Sequence, residues 1–393
     1  MTMSLTNLLA ETDKIKCQVI DWRRHFHMHP ELSFQEKKTS AFIYQTLLSF
    51  ENLEVTRPTE YSVMARLIGE SPGKVLAMRA DIDALPIMEE NDFDFVSQSP
   101  GVMHACGHDG HTAMMLGAAK ILSENKDDIK GEIRFLFQHA EEQFPGGAKE
   151  MVEAGVLDGV DYIIGLHLFS TIPKGEIGVI YGPLTANDDT FELKIIGKGG
   201  HASAPDTSID PIAIASQFVS NLQHIVSRKL DPLERLVISV TEFHAGNAVN
   251  IIPESATLSG SVRSFSQDVR GSAVQLIEQI AKGVTSAHGA SYQFNYDYGY
   301  SSVVNNDLLT KKVEDAVSEI FGDKCIRYGP PMMGGEDFSA FLKKIPGCFI
   351  PVGARNETKG IVHPHHHPKF TIDEDALNDG VKILINASLK ILD

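Results

Sequence analysis

Met103-His104-Ala105-Cys106-Gly107-His108-Asp109-Gly110-His111 sets a thiol, three imidazoles and a carboxylate around two glycines. Read as extended chain, Cys106 and His108 alternate and point the same way. A thiolate and an imidazole so directed can hold one borderline-soft ion such as Zn²⁺, or share a pair of ions. The glycines let backbone and water come close to the ligands. Just downstream, Met114, Met115, Ala118, Ile121 and Leu122 recur at helical spacing. The stretch reads as a loop that enters a buried helix. Taken alone it is also compatible with a reduced cysteine beside surface histidines, so the surrounding chain has to decide.

Upstream, residues 74–78 are a short apolar run that predicts a buried strand, ending in Arg79-Ala80-Asp81-Ile82-Asp83-Ala84-Leu85-Pro86. Downstream, residues 132–137 predict a second strand, followed by His139-Ala140-Glu141-Glu142, and residues 161–166 a third, followed by His167. Helical patterns at 13–28, 36–50 and 374–392 complete the picture, the first closed by His29-Pro30 because the residue before proline avoids helical geometry. Apolar strands separated by helices, with metal-capable side chains at the strand C-termini, predict an α/β sheet whose carboxyl edge carries the site.

Adjacent residues at a strand end diverge, so one of Glu141 and Glu142 can bind a metal while the other serves a water molecule as base. Cys106, His108, Glu142 and His167 then form a mixed sulfur, nitrogen and oxygen ligand set. Asp81 and Asp83 read as groups that orient ligands or the loop. Near the C-terminus His363, His365, His366 and His367 are all able to bind metal, and their spacing does not choose among them.

The texture changes after about residue 185. Strand patterns at 189–196, 236–243, 256–262 and 291–296, with helical patterns at 211–227 and 267–288, follow the order strand, helix, strand, strand, helix, strand, the ferredoxin-like split unit. The expected division is residues 1–184 with 298–393 as the larger domain, and 185–297 as an inserted α+β domain.

The 393 residues are 42% hydrophobic, enough for two domains. A formal charge of −17 argues against nucleic acid and anionic membranes as partners. Cys17, Cys106, Cys325 and Cys348 show no framework spacing, which suits a reducing compartment. Residues 1–16 show no leader pattern, and no apolar run is long enough to span a membrane. The expectation is a cytoplasmic protein.

Several long stretches carry a resemblance. They are HMHPELS from His27, RADIDALPI from Arg79, HACGHDGHTA from His104, FQHAEE from Phe137 and GLH from Gly165. GKGGHASAP from Gly197, NIIPESATLSGSVR from Asn250, GGEDF from Gly334 and HHPKF from His366 extend it almost to the end. Together they resemble the M20 metallopeptidase family, in the amidohydrolase branch of hippurate hydrolases, N-acyl-amino-acid deacetylases and auxin-conjugate hydrolases. That resemblance implies a three-layer α/β zinc-peptidase-like catalytic domain with an inserted ferredoxin-like dimerisation lid. It implies that Cys106, His108, Glu142, His167 and His366 hold two divalent ions, with Cys106 bridging; the family's H-x-P pattern selects His366. Zinc or manganese is the expected metal, with cobalt or nickel also suited to the donors.

The same resemblance makes Glu141 the general base and acid and His201 the stabiliser of the oxyanion, reaching the partner subunit of a homodimer. Asn250 and Arg263 would clamp the substrate carboxylate, a bidentate task suited to a guanidinium. The implied reaction is metal-dependent hydrolysis of the amide bond of an N-acetyl-, N-benzoyl- or indoleacetyl-type amino acid. Glu336 and Asp337 lie near the site in the family, and His27, His29, His104 and His111 read as structural. The chain departs from the pattern at His139, where family members commonly carry proline. A dipeptidase or aminopeptidase of the same family would have to recognise a free α-amine, and no carboxylate is evidently set aside for one. A non-catalytic metal-binding homologue would have no use for Glu141.

Overall fold

The structure, a computed structural model, describes residues 5–393, with side chains from Asn7 onward. Residues 1–4, part of the stretch read for a leader, lie outside the described residues. The chain packs as two compact units. One runs to Leu184 and resumes over Val303–Pro330 and Asp337–Asp393; the other is Thr185–Ser302 with Pro331–Glu336. The short segment Pro331–Glu336 thus joins the second unit, apart from the C-terminal segment expected to carry it. The reason is local: Thr185 bridges to Met332, and the Ala186 N–H donates to Gly334 O.

The first unit is built on an eight-stranded mixed sheet in the order Glu54–Thr56, Val63–Ile68, Lys130–Gln138, Ser71–Asp81, Tyr162–Pro173, Gly347–Arg355, Ile177–Gly178, Ile326–Arg327. The middle four strands run parallel. Leu76 to Asp81 and Ile133 to Gln138 are buried at every position, the pattern of strands covered on both faces. The strand read as 161–166 continues to Pro173, so His167 stands inside it and not beyond its end. It continues because Gly347–Arg355 keeps pairing it past His167, through Leu168 and Phe169.

The helix His108–Glu124 is buried at every residue but Lys120 and Glu124, as expected of a helix apolar all round. Gly117 lets it approach its neighbours: a Cβ there would lie 2.9 Å from Val19 and 3.1 Å from Val381, on the helices Leu5–Met28 and Asp375–Leu392. Ile121 and Leu122 are almost wholly enclosed, and each contributes roughly 1.5–3 kcal/mol by burial. The helix that opens the metal-capable loop is therefore among the most firmly held parts of this unit.

The second unit is a four-stranded antiparallel sheet in the order Leu236–Ala245, Ser255–Ser264, Asn187–Ile196, Ser291–Asp297. In sequence order these are the second, third, first and fourth strands, the ferredoxin-like arrangement. Phe191, Leu193, Ile195 and Leu258 face the helices Pro211–His224 and Gln267–Ala287, with Phe218 and Ile277 opposite. Asp210 and Ser266 cap those helices through the N–H groups of their first turns. Among the described residues, no helix is long and apolar enough to cross a membrane.

Candidate metal centre and active site

Register places the donors. Asp81 pairs with Gln138, while Arg79, two residues earlier, pairs with Gly165. His167, two residues past Gly165, is therefore level with Asp81, and Glu141 and Glu142 follow Gln138 beyond its strand end. Met103 bridges to Leu85 and starts the loop that carries Cys106. Cys106 and His108 do not alternate on extended chain. Gly107 takes φ +98°, turning the loop directly into the helix whose first residue is His108. That left-handed conformation is one that glycine adopts without strain.

Cys106 Sγ lies 3.5 Å from His167 Nε2 and 3.7 Å from His365 Nδ1. Donor atoms of Cys106, His108 and His167 lie within 4.8 Å of one another, and so do those of Cys106, Glu142 and His366. Cys106 belongs to both groups, so its one sulfur lies within reach of both sets of donors. Glu141 joins His108 and Glu142 in a third group of the same span. The five residues expected as ligands thus meet, with Glu141 beside them.

Hydrogen bonding decides which ring nitrogens are free for a metal. His108 Nδ1 is 3.0 Å from the Asp83 carbonyl oxygen, and His167 Nδ1 is 2.9 Å from the Leu168 carbonyl oxygen. A carbonyl only accepts, so each Nδ1 carries a proton and each Nε2 is left for the cluster. His108 Nε2 is buried without a hydrogen-bond partner among the described residues. Imidazole ligands held by an outer carbonyl or carboxylate are oriented this way. The Asp83 carboxylate fixes two parts of the site at once: Oδ1 is 3.2 Å from His108 Nδ1, and Oδ2 accepts the Glu142 N–H at 3.0 Å.

The electrostatics fit a cation. Burial alone would lower the His108 pKa, but the Asp81 and Asp83 carboxylates outweigh it and push the ring up to about 10. Burial pushes the Cys106 thiol well above its usual range, and Glu142, Glu141 and Asp81 add to the push. The same carboxylates would favour a divalent ion in place of those two protons.

The histidine tract separates into distinct roles. Ser170 N–H donates to His365 Nε2 at 3.3 Å, which leaves His365 Nδ1 as the protonated nitrogen facing the sulfur. His367 Nδ1 accepts the Lys369 N–H, and its ring stacks on His363. His366 takes φ +64° and sets Nε2 3.2 Å from Glu142 Oε1. The Glu142 carboxylate raises the His366 pKa against the opposing effect of burial.

Behind these groups lies a buried charge network in which Asp81, Asp337, His27 and His111, named from sequence, meet Arg79, Gln138, Arg23 and Asp109, to which the sequence reading gave no role. Arg79 donates to Gln138, Asp81 and Asp337, and Gln138 donates to both Asp337 oxygens. His111 receives the Leu168 N–H on Nε2 and so presents its Nδ1 proton to Asp81 at 2.6 Å. Asp109 accepts from Arg23 and lies 2.8 Å from His27 Nδ1. A lone arginine between apolar strand residues was the available signal for Arg79.

His201, Asn250 and Arg263 belong to the second unit. His201 is exposed on the short strand Gly200–His201, paired with Ile251–Ile252. The Ser203 N–H and hydroxyl both approach His201 Nδ1, at 3.1 and 2.8 Å. Nδ1 is thus the acceptor and Nε2 carries the proton, a donor ready for an anion. His201 and Asn250 line one cleft of about 640 Å³ with Gly200 and Glu254. Arg263 lies opposite Asp188 in the sheet register and pairs with its carboxylate at 2.7 Å.

Comparison with known proteins gives the family. Residues 77–390 match peptidase family M20/M25/M40. The chain is 62% identical over 295 residues to an N-acyl-L-amino acid amidohydrolase of Geobacillus stearothermophilus, covering 75% of this chain and 80% of that protein. It is 43% identical over 378 residues to thermostable carboxypeptidase 1 of Saccharolobus solfataricus, covering 95% of each. The crystal structure of Bacillus subtilis YXEP, a dinuclear metal binding peptidase from the M20 family, superimposes with TM-score 0.86 at 36% identity, covering 97% of this chain and 99% of that one. On this match and these identities, the chain belongs to peptidase family M20/M25/M40.

Proposed function

We propose that the protein is a metal-dependent amidohydrolase that cleaves the amide bond of N-acyl amino acids. The observation that carries the reading is Cys106 Sγ shared by two donor groups, with buried Glu141 at their side. The name of the Geobacillus relative supplies the substrate class.

Cys106, His108 and His167 would hold one divalent ion, and Cys106, Glu142 and His366 the other. Two ions held there would supply Lewis-acid polarisation of the amide carbonyl and a lowered pKa for the attacking water. The thiolate suits zinc, and the imidazole and carboxylate donors also admit manganese, cobalt or nickel. Glu141 takes the proton of the attacking water and later delivers it to the leaving nitrogen, so one carboxylate serves both halves of the reaction. His201 donates a hydrogen bond from its Nε2–H to the developing oxyanion and keeps its proton. Arg263 and Asn250 bind the free carboxylate of the substrate.

The protein acts as a homodimer through the second unit, with His201 serving the partner's site. Strand Leu236–Ala245 supports this reading: it is an edge of its sheet, carries exposed Val237 and Phe243, and leads to fully exposed Val249. Four free cysteines without a disulfide support a reducing compartment, the cytoplasm, as its location.

The carboxypeptidase name of the Saccharolobus relative favours a second reading, cleavage of a peptide bond next to a free carboxylate. Amine release from N-acetyl, N-benzoyl and N-indoleacetyl amino acids, set beside free and blocked dipeptides, separates the two. Turnover of the acylated amino acids supports the amidohydrolase reading; turnover confined to peptides overturns it.

A further inference from the structure

Two buried carboxyl groups hold the backbone on either side of Glu141. Glu36 Oε1 accepts the N–H of Ala140 at 2.7 Å, and Asp83 Oδ2 accepts the N–H of Glu142 at 3.0 Å. Glu36 is wholly enclosed and Asp83 is 1% exposed. Ala140 takes φ +49°, a left-handed conformation that a residue with a Cβ adopts only when its surroundings impose it. Its carbonyl is held as well, by the Gly147 N–H at 3.1 Å.

Glu36 comes from the connector between the helices Leu5–Met28 and Lys37–Leu48. The same connector donates the Ser33 hydroxyl to Asp83 and accepts the Ala84 N–H on Glu31 O. It therefore backs the turn 139–142 from a distant part of the sequence.

We infer that Glu36 is a positioning residue for Glu141, clamping the left-handed Ala140 peptide so that the Glu141 carboxylate is aimed at the attacking water. This rests on the reading of Glu141 as the proton carrier. Without the Glu36 acceptor, Ala140 relaxes toward ordinary negative φ and Glu141 turns with it. Glu142 stays anchored through Asp83, so metal binding is preserved. The loss falls on kcat, because a displacement of about 1 Å at a reacting group can lower the rate about a hundredfold.

The state of the carboxyl matters. Burial pushes Glu36 up to about 8, and the Asp83 carboxylate adds to the push. At neutral pH it is a neutral acid whose oxygen accepts the Ala140 N–H without placing a second anion beside Asp83. A glutamine amide can replace it; an alkyl side chain cannot.

The test compares wild type, Glu36→Gln, Glu36→Leu and Glu141→Ala for kcat, KM and bound metal on one N-acyl amino acid. Glu36→Gln should keep kcat within about threefold of wild type, while Glu36→Leu should lose about ten- to a hundredfold in kcat with KM and metal content unchanged. Should Glu36→Leu not fold, Glu36→Asp, too short to reach Ala140, should show the same kcat loss. Wild-type kcat in Glu36→Leu or Glu36→Asp overturns the inference, as does equal loss in Glu36→Gln or a loss that follows metal content. If wild type is inert or Glu141→Ala remains active, the reading of Glu141 itself has failed, a separate outcome.

Discussion

Glu142 Oε1 and His366 Nε2 stand 3.2 Å apart, and His366 adopts φ +64° to bring them together. The two neighbours in the tract are engaged elsewhere, His365 with Ser170 N–H and His367 with Lys369 N–H. The strained backbone of His366 is pinned by its N–H to the Ala105 carbonyl at 2.8 Å, which sets its ring beside Glu142, and strain held at such a place points to function.

His366→Ala should therefore weaken metal binding by more than the 10–100-fold typical of losing an outer partner (about two orders of magnitude or more). His367→Ala should leave it nearly unchanged. Metal titrations of both variants check this, and an equal loss in both would dismiss the distinction between them.

Metal loading should release protons. In the metal-free chain His108 is raised to about 10 and the Cys106 thiol lies well above its usual range. Both groups therefore hold protons at neutral pH, and neither can do so while coordinating. The proton-bound state competes with metal, so affinity rises with pH and falls by up to about a hundredfold per pH unit of acidification for two displaced protons. Calorimetric titration in buffers of different ionisation enthalpy counts the protons. A count near two is expected; a count near zero would refute the thiolate and imidazole as ligands.

Arg263 tests the substrate class. It is half-buried and paired with Asp188, so it would engage a ligand carboxylate as a partly desolvated fork. Arg263→Ala should raise KM by about ten- to a hundredfold for substrates with a free carboxylate, the scale of a charge-assisted bond worth roughly 1.5–3 kcal/mol. The corresponding carboxamides should be little affected. Equal losses on acids and amides would remove the clamp from the account.

Asp109 has a structural task despite its place in the ligand motif. It is 1% exposed and accepts from Arg23, itself fully enclosed, and from the side of His27. Asp109→Ala strands a buried guanidinium and should cost about 3–5 kcal/mol in denaturant unfolding. A loss below about 1 kcal/mol would show that Glu374, 3.3 Å from Arg23, is sufficient for it.

Much of this was legible in the chain. Apolar runs marked the buried strands before Asp81 and Glu141, because burial on both faces leaves a near-continuous apolar run, and period-3.6 patterning marked the helix after Gly107. The motif residues Cys106, His108, Glu142, His167 and His366 come together in space. What stayed hidden depends on non-local geometry. The left-handed turn at Gly107 could not be told from extended chain, since a glycine is at home in either. The length of the strand through His167 was set by its partner Gly347–Arg355, which pairs Pro351 with His167 across 184 positions of sequence. The reach of Glu36 to Ala140, and of Arg79 to Asp337, spans 104 and 258 positions. No local pattern encodes such contacts.

The most direct test follows bound metal and amine release in the same sample as chelated protein is reloaded. Turnover of an N-acyl amino acid should be absent at first and reach its plateau at two ions per chain. Glu141→Ala should bind both ions and stay inactive, and Cys106→Ala should bind fewer and stay inactive. Wild-type turnover from the chelated protein, or from Cys106→Ala, would contradict the shared-thiolate centre on which the whole account rests.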